Sequence, residues 1–387
     1  MATMFVQMPA MRRLGVPLEN SLDQGTTMKR TGRFECLTLL VLCMVSMACS
    51  NQSKSVDESQ EGLLLSLVDE VVFQNLLTPG GMDIDSAGRI YVADRKQKHV
   101  KVFSPSGDLL HTIGRGGQGP GEFVSPASVS IHGQRIGVGD VSGRVTIFDL
   151  QGSYITSFVV PQIRHINSDI RIVNDSLILV GGYVLGEELL DGTLLHLYGI
   201  DGIQRHSFGP LSKTAQRMES VALSGAKFDF DDTSTFWSTQ PTEYTISKYD
   251  LSGELVTNIE VKPSYFRPLN QKEPEWGGQT AYMDWMAHWD RPGRVFSLND
   301  SVLVVSVQIG QPPTYKGRMA SRTDFIRKRD GYVYQSVSGL EKLVFVDDKE
   351  QLYFEVPTTE EPVTRFRIYQ MRGTEQMASR REITNLY

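Results

Sequence analysis

The sequence predicts an all-β fold, a six-bladed β-propeller built from four-stranded antiparallel blades. Three observations predict it: strand-length apolar alternation interrupted by turn residues, a return of the same pattern after about 45 residues, and a strand near the N-terminus that matches one missing from the last repeat. Helical periodicity is almost absent from Leu63 onward, which argues against a TIM barrel.

The first repeat is the clearest. Turn residues at 86–88 and 105–107 separate strands predicted at Ile90–Ala93, Val100–Phe103 and Leu109–Ile113. In the second repeat, equivalent residues recur 45 or 46 positions later: Asp140 for Asp94, Phe148 for Phe103 and Gly152 for Gly107. This period, with four strands in each unit, is typical of propeller blades.

Later repeats are looser. Gly202, Gly253 and Gly331 mark the same turn, and a sixth repeat from Leu343 to Met371 lacks its last strand. The unpaired segment Leu63–Phe73 supplies that strand, because a closed ring leaves no open sheet edge when both chain ends share one blade.

The stretch Gly114–Phe123, GRGGQGPGEF, contains G-x-G-x-x-G, a pattern found in nucleotide-binding loops. That function requires a helix directly after the glycines, because the helix N-terminus holds the phosphates. Pro120, Gly121 and a strand-like segment follow instead. We therefore expect a structural connection between blades, with glycines that allow positive φ and Phe123 in the core between blades.

Residues 81–123 resemble an NHL-type repeat, through the elements D-x-x-G-x-[IV]-Y-V-x-D, V-x-V-F, S-x-G and G-x-x-G-x-G-P-G-x-F. The resemblance is strong to Phe123, fair to Phe158 and based on spacing beyond it. With the degenerate later blades, it points to the six-bladed propeller lipoproteins of Bacteroidetes-like bacteria. Most members of that group have no defined activity, so the resemblance implies a fold and a location only.

The N-terminal region predicts export. Basic residues at 29, 30 and 33 precede an apolar run, Leu37–Met47, followed by Ala48 and Cys49. Ser46–Cys49 resembles the lipobox of bacterial lipoproteins, in which the cysteine is lipidated; the alternative is an ordinary secretory signal with an incidental cysteine. We expect the outer membrane, because lipoproteins retained at the inner membrane often carry Asp where Ser50 stands.

The predicted organisation has five parts: 1–27, an over-extended start; 28–48, a lipoprotein signal peptide; 49–61, a flexible tether; 62–371, the propeller; and 372–387, a C-terminal tail.

Of three cysteines, only Cys49 remains after cleavage, so internal disulfides are excluded. The segment to Ala48 holds five Lys/Arg and three Asp/Glu, so the net charge of −6 becomes −8. An acidic domain without a basic stripe argues against nucleic acid as a partner.

Few residues suggest chemistry. Asp83, Asp85, Asp94 and Asp140 are predicted at turns, where carboxylates accept backbone hydrogen bonds, and we favour that role over calcium binding. No histidine pair has local metal-ligand spacing. NHL-like amidating lyases and streptogramin lyases resemble this fold and gather histidines around the axis, which makes His165 and His288 weak metal candidates. The other five histidines are expected at the surface.

The least repeat-like segment, Tyr265–Arg294, is an insertion of about 30 residues relative to the repeat period. It either packs over one mouth of the ring with buried aromatics or forms a binding lid. A second loop, Gln308–Asp324, is predicted to face the same mouth. The candidate lid residues are Trp276, Tyr282, Trp285, His288, Trp289, Tyr315 and Arg318.

The sequence thus predicts a non-enzymatic binding or scaffold module for a protein, peptide or glycan, which contacts the membrane through its lipid anchor only. No cofactor is expected. The alternative is a metal-assisted lyase or hydrolase with ligands on the propeller axis.

Overall fold

The computed structural model describes residues 64–160, 169–182, 192–215, 225–270, 279–311, 320–339, 342–356 and 363–372. These form six four-stranded antiparallel sheets, one short parallel strand pair and one helix, α1 (Gln279–Met286). The prediction of a six-bladed all-β propeller is confirmed.

The first five blades each consist of four consecutive strands, with the first strand of each innermost. Blade one contains β2 (Pro79–Ile84), β3 (Ile90–Asp94), β4 (His99–Phe103) and β5 (Leu109–Ile113). Blade two contains β8 (Pro126–His132), β9 (Arg135–Asp140), β10 (Arg144–Asp149) and β11 (Tyr154–Val159). Blade three contains β12 (Ile170–Ile172), β13 (Leu177–Gly181), β14 (Thr193–Gly199) and β15 (Gln204–Pro210).

The remaining blades repeat this order. Blade four contains β16 (Lys227–Phe230), β17 (Thr235–Gln240), β18 (Glu243–Asp250) and β19 (Leu255–Glu260). Blade five contains β20 (Arg291–Ser297), β21 (Val302–Gln308), β22 (Ser321–Arg327) and β23 (Val333–Ser338). Blade six contains β24 (Lys342–Val346), β25 (Gln351–Val356), β26 (Val363–Arg372) and, outermost, β1 (Leu64–Gln74).

The N-terminal strand closes the last blade, as predicted. Strand β1 pairs antiparallel with β26 from Leu64 opposite Arg372 to Gln74 opposite Val363. The two ends of the described fold thus share one sheet.

Packing between blades also shows that the ring is closed. Six clusters of buried apolar side chains join each blade to the next, including one that joins blade six to blade one through Phe73, Phe103 and Phe366. The Phe73 ring lies 4.5 Å from that of Phe103 and 5.2 Å from that of Phe366. Strand residues rich in Val, Ile and aromatics suit these surfaces, because branched and aromatic side chains pack well on pleated sheets.

The connection at Gly114–Phe123 is structural, as predicted. Instead of a helix it contains two short parallel strands, β6 (Arg115–Gly116) and β7 (Glu122–Phe123). Gly114 has φ of 73°, and the fully buried Phe123 ring fills the space where a Cβ on Gly114 would lie. Glycine is required here because the backbone crosses close to this ring.

The ring has two different ends. One, which we call the turn end, carries the hairpins after the first and third strands of each blade, and Gly88 and Pro105 of these hairpins lie close together. The other, the connection end, is where the chain passes between blades and from second to third strands. Both candidate loops, Tyr265–Arg294 and Gln308–Asp324, leave from and return to the connection end.

Candidate functional site

Charged side chains of the innermost strands meet on the propeller axis. Arg171 of β12 lies between two carboxylates: its Nη1 is 3.3 Å from Oδ2 of Asp83, and its Nη2 donates to Oδ1 of Asp229 at 2.8 Å. Both acids also hold other blades, since Oδ2 of Asp83 accepts a second hydrogen bond from the Ile131 amide at 2.7 Å. Asp229 accepts from the Ser297 amide at 3.0 Å. We call Asp83, Arg171 and Asp229 the inner layer, and their contacts link five blades.

Asp83 was predicted at a turn, and that prediction is wrong. It lies within β2 and projects to the axis, because the side-chain alternation of the strand places it opposite the core residues. Burial raises the pKa of Asp83 and of Asp229, although Arg171 opposes the shift in both. For Arg171 itself, burial acts to lower the pKa, but the surrounding carboxylates raise it, so Arg171 stays charged.

A second charged layer lies nearer the connection end. Asp169, which directly precedes β12, accepts from Arg294 Nη2 at 2.7 Å through Oδ1, and Lys227 Nζ lies 3.8 Å from the same oxygen. Burial would raise the pKa of Asp169, but Arg294, Lys227 and further cations outweigh it and hold this pKa below its usual value.

Further cations lie close to this second layer, which we call the outer layer. Burial and repulsion from Arg294, Lys342 and Arg95 lower the pKa of Lys227 to about 8, against the attraction of Asp169. Lys342 begins β24 and Arg95 follows β3, so both lie at the connection end. The layer is partly open to solvent, with side chains of Lys227 and Arg294 exposed by 26% and 20%.

A third charged group lies beyond the inner layer, at the turn end. Asp231 forms an ion pair with Lys248 at 2.5 Å and another with Lys328, which also donates to Ser297 Oγ at 2.8 Å. Burial would raise the pKa of Asp231, but the hydrogen bonds from the two lysines and Ser297 lower it to about 2. This carboxylate is fully engaged in fixing blades four and five.

A buried carboxyl secures the start of the insertion to blade five. Oδ2 of Asp324 accepts hydrogen bonds from Tyr244 at 2.6 Å and from Tyr265 at 2.5 Å. The Arg322 guanidinium lies 4.3 Å from the centre of the Tyr265 ring. Burial raises the pKa of Asp324 despite these favourable contacts.

The tryptophans of the insertion are buried. Trp285 and Trp289 are 5% and 1% exposed, and their ring centres are 5.4 Å apart in a cluster with Leu269 and Met286. This burial favours the packing interpretation of the segment for these two side chains. A binding role for the segment stays a prediction.

The other predicted site residues are distributed as follows. His288 is exposed, with Nδ1 2.7 Å from the Asp284 carbonyl oxygen, and Tyr282 lies in α1. Cys49, His165, Trp276, Tyr315 and Arg318 lie outside the described residues. A metal site formed by His165 and His288 stays a prediction.

Among the residues that the structure describes, no three His, Cys, Asp or Glu side chains form a group that could hold a metal ion.

His196 was expected at the surface but is buried. Its Nδ1 lies 2.8 Å from Ser207 Oγ, and burial lowers its pKa to about 4. Every residue of β14 after Thr193 is buried, so both faces of this strand are covered and a histidine on it is enclosed.

The predicted turn role holds for other aspartates. Asp85 accepts from the amides of Ala87 and Arg89, and Asp94 accepts from those of Leu77, Lys96 and Gln97. Asp140 accepts from Ser125 and Ser142 in the equivalent position of blade two. These carboxylates stabilise backbone turns.

Sequence reasoning missed the axial layers. A signal was present, since charged residues in short, otherwise apolar innermost strands are costly to bury without partners. Lys227 and Asp229 alternate with core residues in "KFDF", and Arg171 lies between two isoleucines. Which of these residues meet is set by ring closure, which a single strand does not encode.

No helix among the described residues has the length and apolar character required to span a bilayer.

Comparison with known proteins supports the architecture. Residues 54–169 match the family described as DUF5128, a 6-bladed beta-propeller. No curated protein matches the chain.

Two solved structures share the fold. A member of the DUF4221 family from Bacteroides vulgatus superimposes with a TM-score of 0.63 at 12% identity, covering 81% of this chain and 99% of that one. A Bacteroides fragilis protein described as exported gives a TM-score of 0.55 at 13% identity, covering 80% of this chain and 96% of that one. The chain is therefore similar to these proteins in its six-bladed propeller fold.

Proposed function

We propose that this protein is a non-enzymatic binding module of the bacterial cell envelope, which binds part of a protein, peptide or glycan at the connection end of the ring. The observation that carries the proposal is the outer charged layer, in which Asp169, Lys227 and Arg294 converge yet keep contact with solvent. Burying such charges costs more free energy than an apolar axis would, so their retention favours recognition over stability.

The path of the chain sets the end of the ring at which strand β1 begins. Strand β1 begins at Leu64 opposite Arg372, the last residue of β26, and in other blades the third strand ends at the turn end. Strand β1 therefore begins at the turn end of the ring, away from the proposed binding end.

Export is supported by the leader pattern before Cys49 and by the exported description of the Bacteroides fragilis protein of similar fold. The anchor itself and the outer membrane as its location are part of the proposal. The lipid would hold the ring at the envelope without any membrane-spanning element.

An array of envelope glycans and peptides tests the binding function. The chain from Asn51 onward, which retains the whole compact unit Gly62–Tyr387, would be compared with Lys342→Glu, a charge reversal at the mouth. The matched control is Lys349→Glu, an exposed residue in the β24–β25 hairpin at the turn end of the same blade.

We expect ligands that bind the native chain to be lost in Lys342→Glu and kept in Lys349→Glu, with both variants folded by circular dichroism and with bound ligands recovered chemically intact. Equal binding by both variants would show that the axial mouth is not the site. Conversion of a bound ligand would replace the binding function with catalysis.

A further inference from the structure

We propose that the turn end of the ring lies on the surface of a lipid bilayer and contacts it through apolar side chains that recur at the start of the outermost strands. This inference rests on the proposed lipid anchor and goes beyond it, because the sequence predicts membrane contact through the anchor only. The contact is at the opposite end of the ring from the proposed binding end.

Exposed apolar side chains are concentrated at one position of the blade. In blades one, two and four, the first two residues of the outermost strand follow a hairpin of the turn end, and both are apolar and between 41% and 55% exposed. These pairs are Leu109 and Leu110, Tyr154 and Ile155, and Leu255 and Val256. Leu67 and Val68 of β1 occupy the equivalent place in blade six and are also exposed. We call these side chains, with their equivalents in blades three and five, the apolar rim.

A β-bulge in each of these strands explains why two consecutive apolar residues are exposed together. Leu110, Ile155 and Val256 are passed over in the pairing of the outermost strand with the third strand. Val68 is passed over in the same way between β1 and β26. Two residues then oppose one, so the strict alternation between core and solvent is lost at this point. Exposed positions of edge strands usually carry charged side chains, so the recurrence of apolar ones favours an interface.

The same position is apolar in the two remaining blades. Ile203 and Tyr332, each 57% exposed, lie immediately before β15 and β23. Among the large apolar residues that the structure describes as exposed, Val124 and Val159 are the two outside the apolar rim. Equivalent apolar positions in all six blades fit a partner that is uniform over the whole end of the ring, which a bilayer surface is. Tyr154 and Tyr332 also suit this boundary, because tyrosine combines an apolar ring with a polar hydroxyl.

The length of chain before β1 keeps the apolar rim within reach of the bilayer. Strand β1 begins at the turn end, and its Leu67 and Val68 belong to the rim. Residues 50–63 lie between Cys49 and Leu64, and a chain of that length spans at most about 50 Å. A lipid on Cys49 therefore holds the rim at a high effective concentration beside the bilayer, so individually weak apolar contacts are sufficient.

Charge determines which lipids fit this surface. The hairpins that precede the three pairs, residues 104–108, 149–153 and 250–254, contain acidic side chains and no basic ones. At Asp149, the hydrogen bond from the Ser153 amide lowers the pKa, so this carboxylate stays charged at neutral pH. Anionic lipids are repelled by these carboxylates, and the rim therefore fits a bilayer of zwitterionic lipids.

Flotation of the chain from Asn51 onward with lipid vesicles tests the rim in the absence of the anchor. Phosphatidylcholine vesicles are compared with vesicles that contain about 30% phosphatidylglycerol. The rim variant combines Leu110→Asn with Ile155→Asn. The control variant combines Val124→Asn with Val159→Asn, two exposed residues at the connection end, the second of them in the same strand as Ile155.

We expect half of the native chain to float at about 1 mM phosphatidylcholine, roughly tenfold weaker than attachment by one myristoyl chain. The rim variant should bind about tenfold more weakly, the control variant should bind like the native chain, and phosphatidylglycerol should weaken binding. The chain from Asn51 onward contains no cysteine, so a bimane fluorophore can be placed on Gln151→Cys at the turn end or on Lys262→Cys at the connection end. Brominated phosphatidylcholine should quench the first fluorophore and leave the second unchanged.

No flotation at about 10 mM phosphatidylcholine, or equal loss of binding in the rim and control variants, would overturn the bilayer contact. Light scattering that shows a dimer of the native chain and a monomer of the rim variant would assign the rim to a second copy and would also overturn it. If flotation fails while array ligands still depend on Lys342, the proposed binding function stands and only the bilayer contact is lost. Because this chain lacks Cys49, flotation that depends on the rim supports the contact whether or not that cysteine is lipidated.

Discussion

Gly114→Ala tests whether the glycine-rich connection exists for a close backbone crossing. At φ of 73°, an added Cβ would lie 2.3 Å from Phe123 Cε2 and 2.9 Å from the Gly121 carbonyl oxygen. The left-handed conformation costs alanine about 1–2 kcal/mol, and overpacking of a fixed core adds about 1–3 kcal/mol. We therefore expect the free energy of unfolding to fall by about 3 kcal/mol.

Gly133→Ala is the matched control. Gly133 lies in the β8–β9 hairpin at φ of 56°, and a Cβ there would have no neighbour within 4 Å. It incurs the backbone cost alone, so we expect a loss of about 1 kcal/mol.

Urea unfolding followed by far-ultraviolet circular dichroism gives both values, provided the slopes of the transitions agree. The difference between the variants, about 2 kcal/mol, isolates the steric contribution of Phe123 and Gly121. Equal losses in the two variants would refute the close-approach argument. A stable Gly114→Ala protein would show that the connection adapts freely.

Three further predictions concern other parts of the chain. Trp289→Ala should lower the free energy of unfolding by about 3–5 kcal/mol, because it opens a cavity beside Trp285. His288 is exposed, so His288→Ala should change this free energy by no more than about 0.5 kcal/mol. Equal urea midpoints for the two variants would contradict the buried packing of Trp289. Burial raises the pKa of Asp324 above 3.8, so the stability contributed by its protonated form is complete below pH 3.8 and is lost as the pH rises through the raised pKa. The melting temperature of Asp324→Asn should therefore rise relative to that of the native chain between about pH 4 and 7. Parallel melting-temperature profiles of the two proteins would exclude the shift. Cys49→Ala should abolish incorporation of labelled palmitate and release the protein from membranes. Cys43→Ala in the leader should keep both the palmitate label and the membrane attachment. Palmitate labelling of Cys49→Ala would show that the lipid is attached elsewhere.

Much of the blade architecture was readable from the chain because it is local. Hairpin strands are close in sequence, and glycine at the turn between the third and fourth strands is required by φ of 91° at Gly107 and 85° at Gly152. The repeat period then located the blades with an irregular sequence pattern from those with a clear one. The final strand was found by elimination, since a ring leaves one strand to be supplied by the other chain end.

The candidate site was not readable in the same way. The sequence drew attention to aromatic residues such as Trp285 and Trp289, because large exposed aromatics mark recognition surfaces. Composition does not distinguish an exposed indole from one that packs against its own segment. The structure buries both, and it assigns the axial charges to residues without any local motif.

The sequence by itself determined the strands, their turns, the number of blades and the closing role of β1, because each follows from short-range alternation, turn chemistry or a fixed period. Only the tertiary structure decided which charges meet. Arg171 contacts Asp83 and Asp229, which are 88 and 58 residues away along the chain, and their identity as partners depends on the angle at which six twisted sheets pack around one axis. That angle is a property of the ring as a whole, so the sequence of any one blade does not specify these contacts.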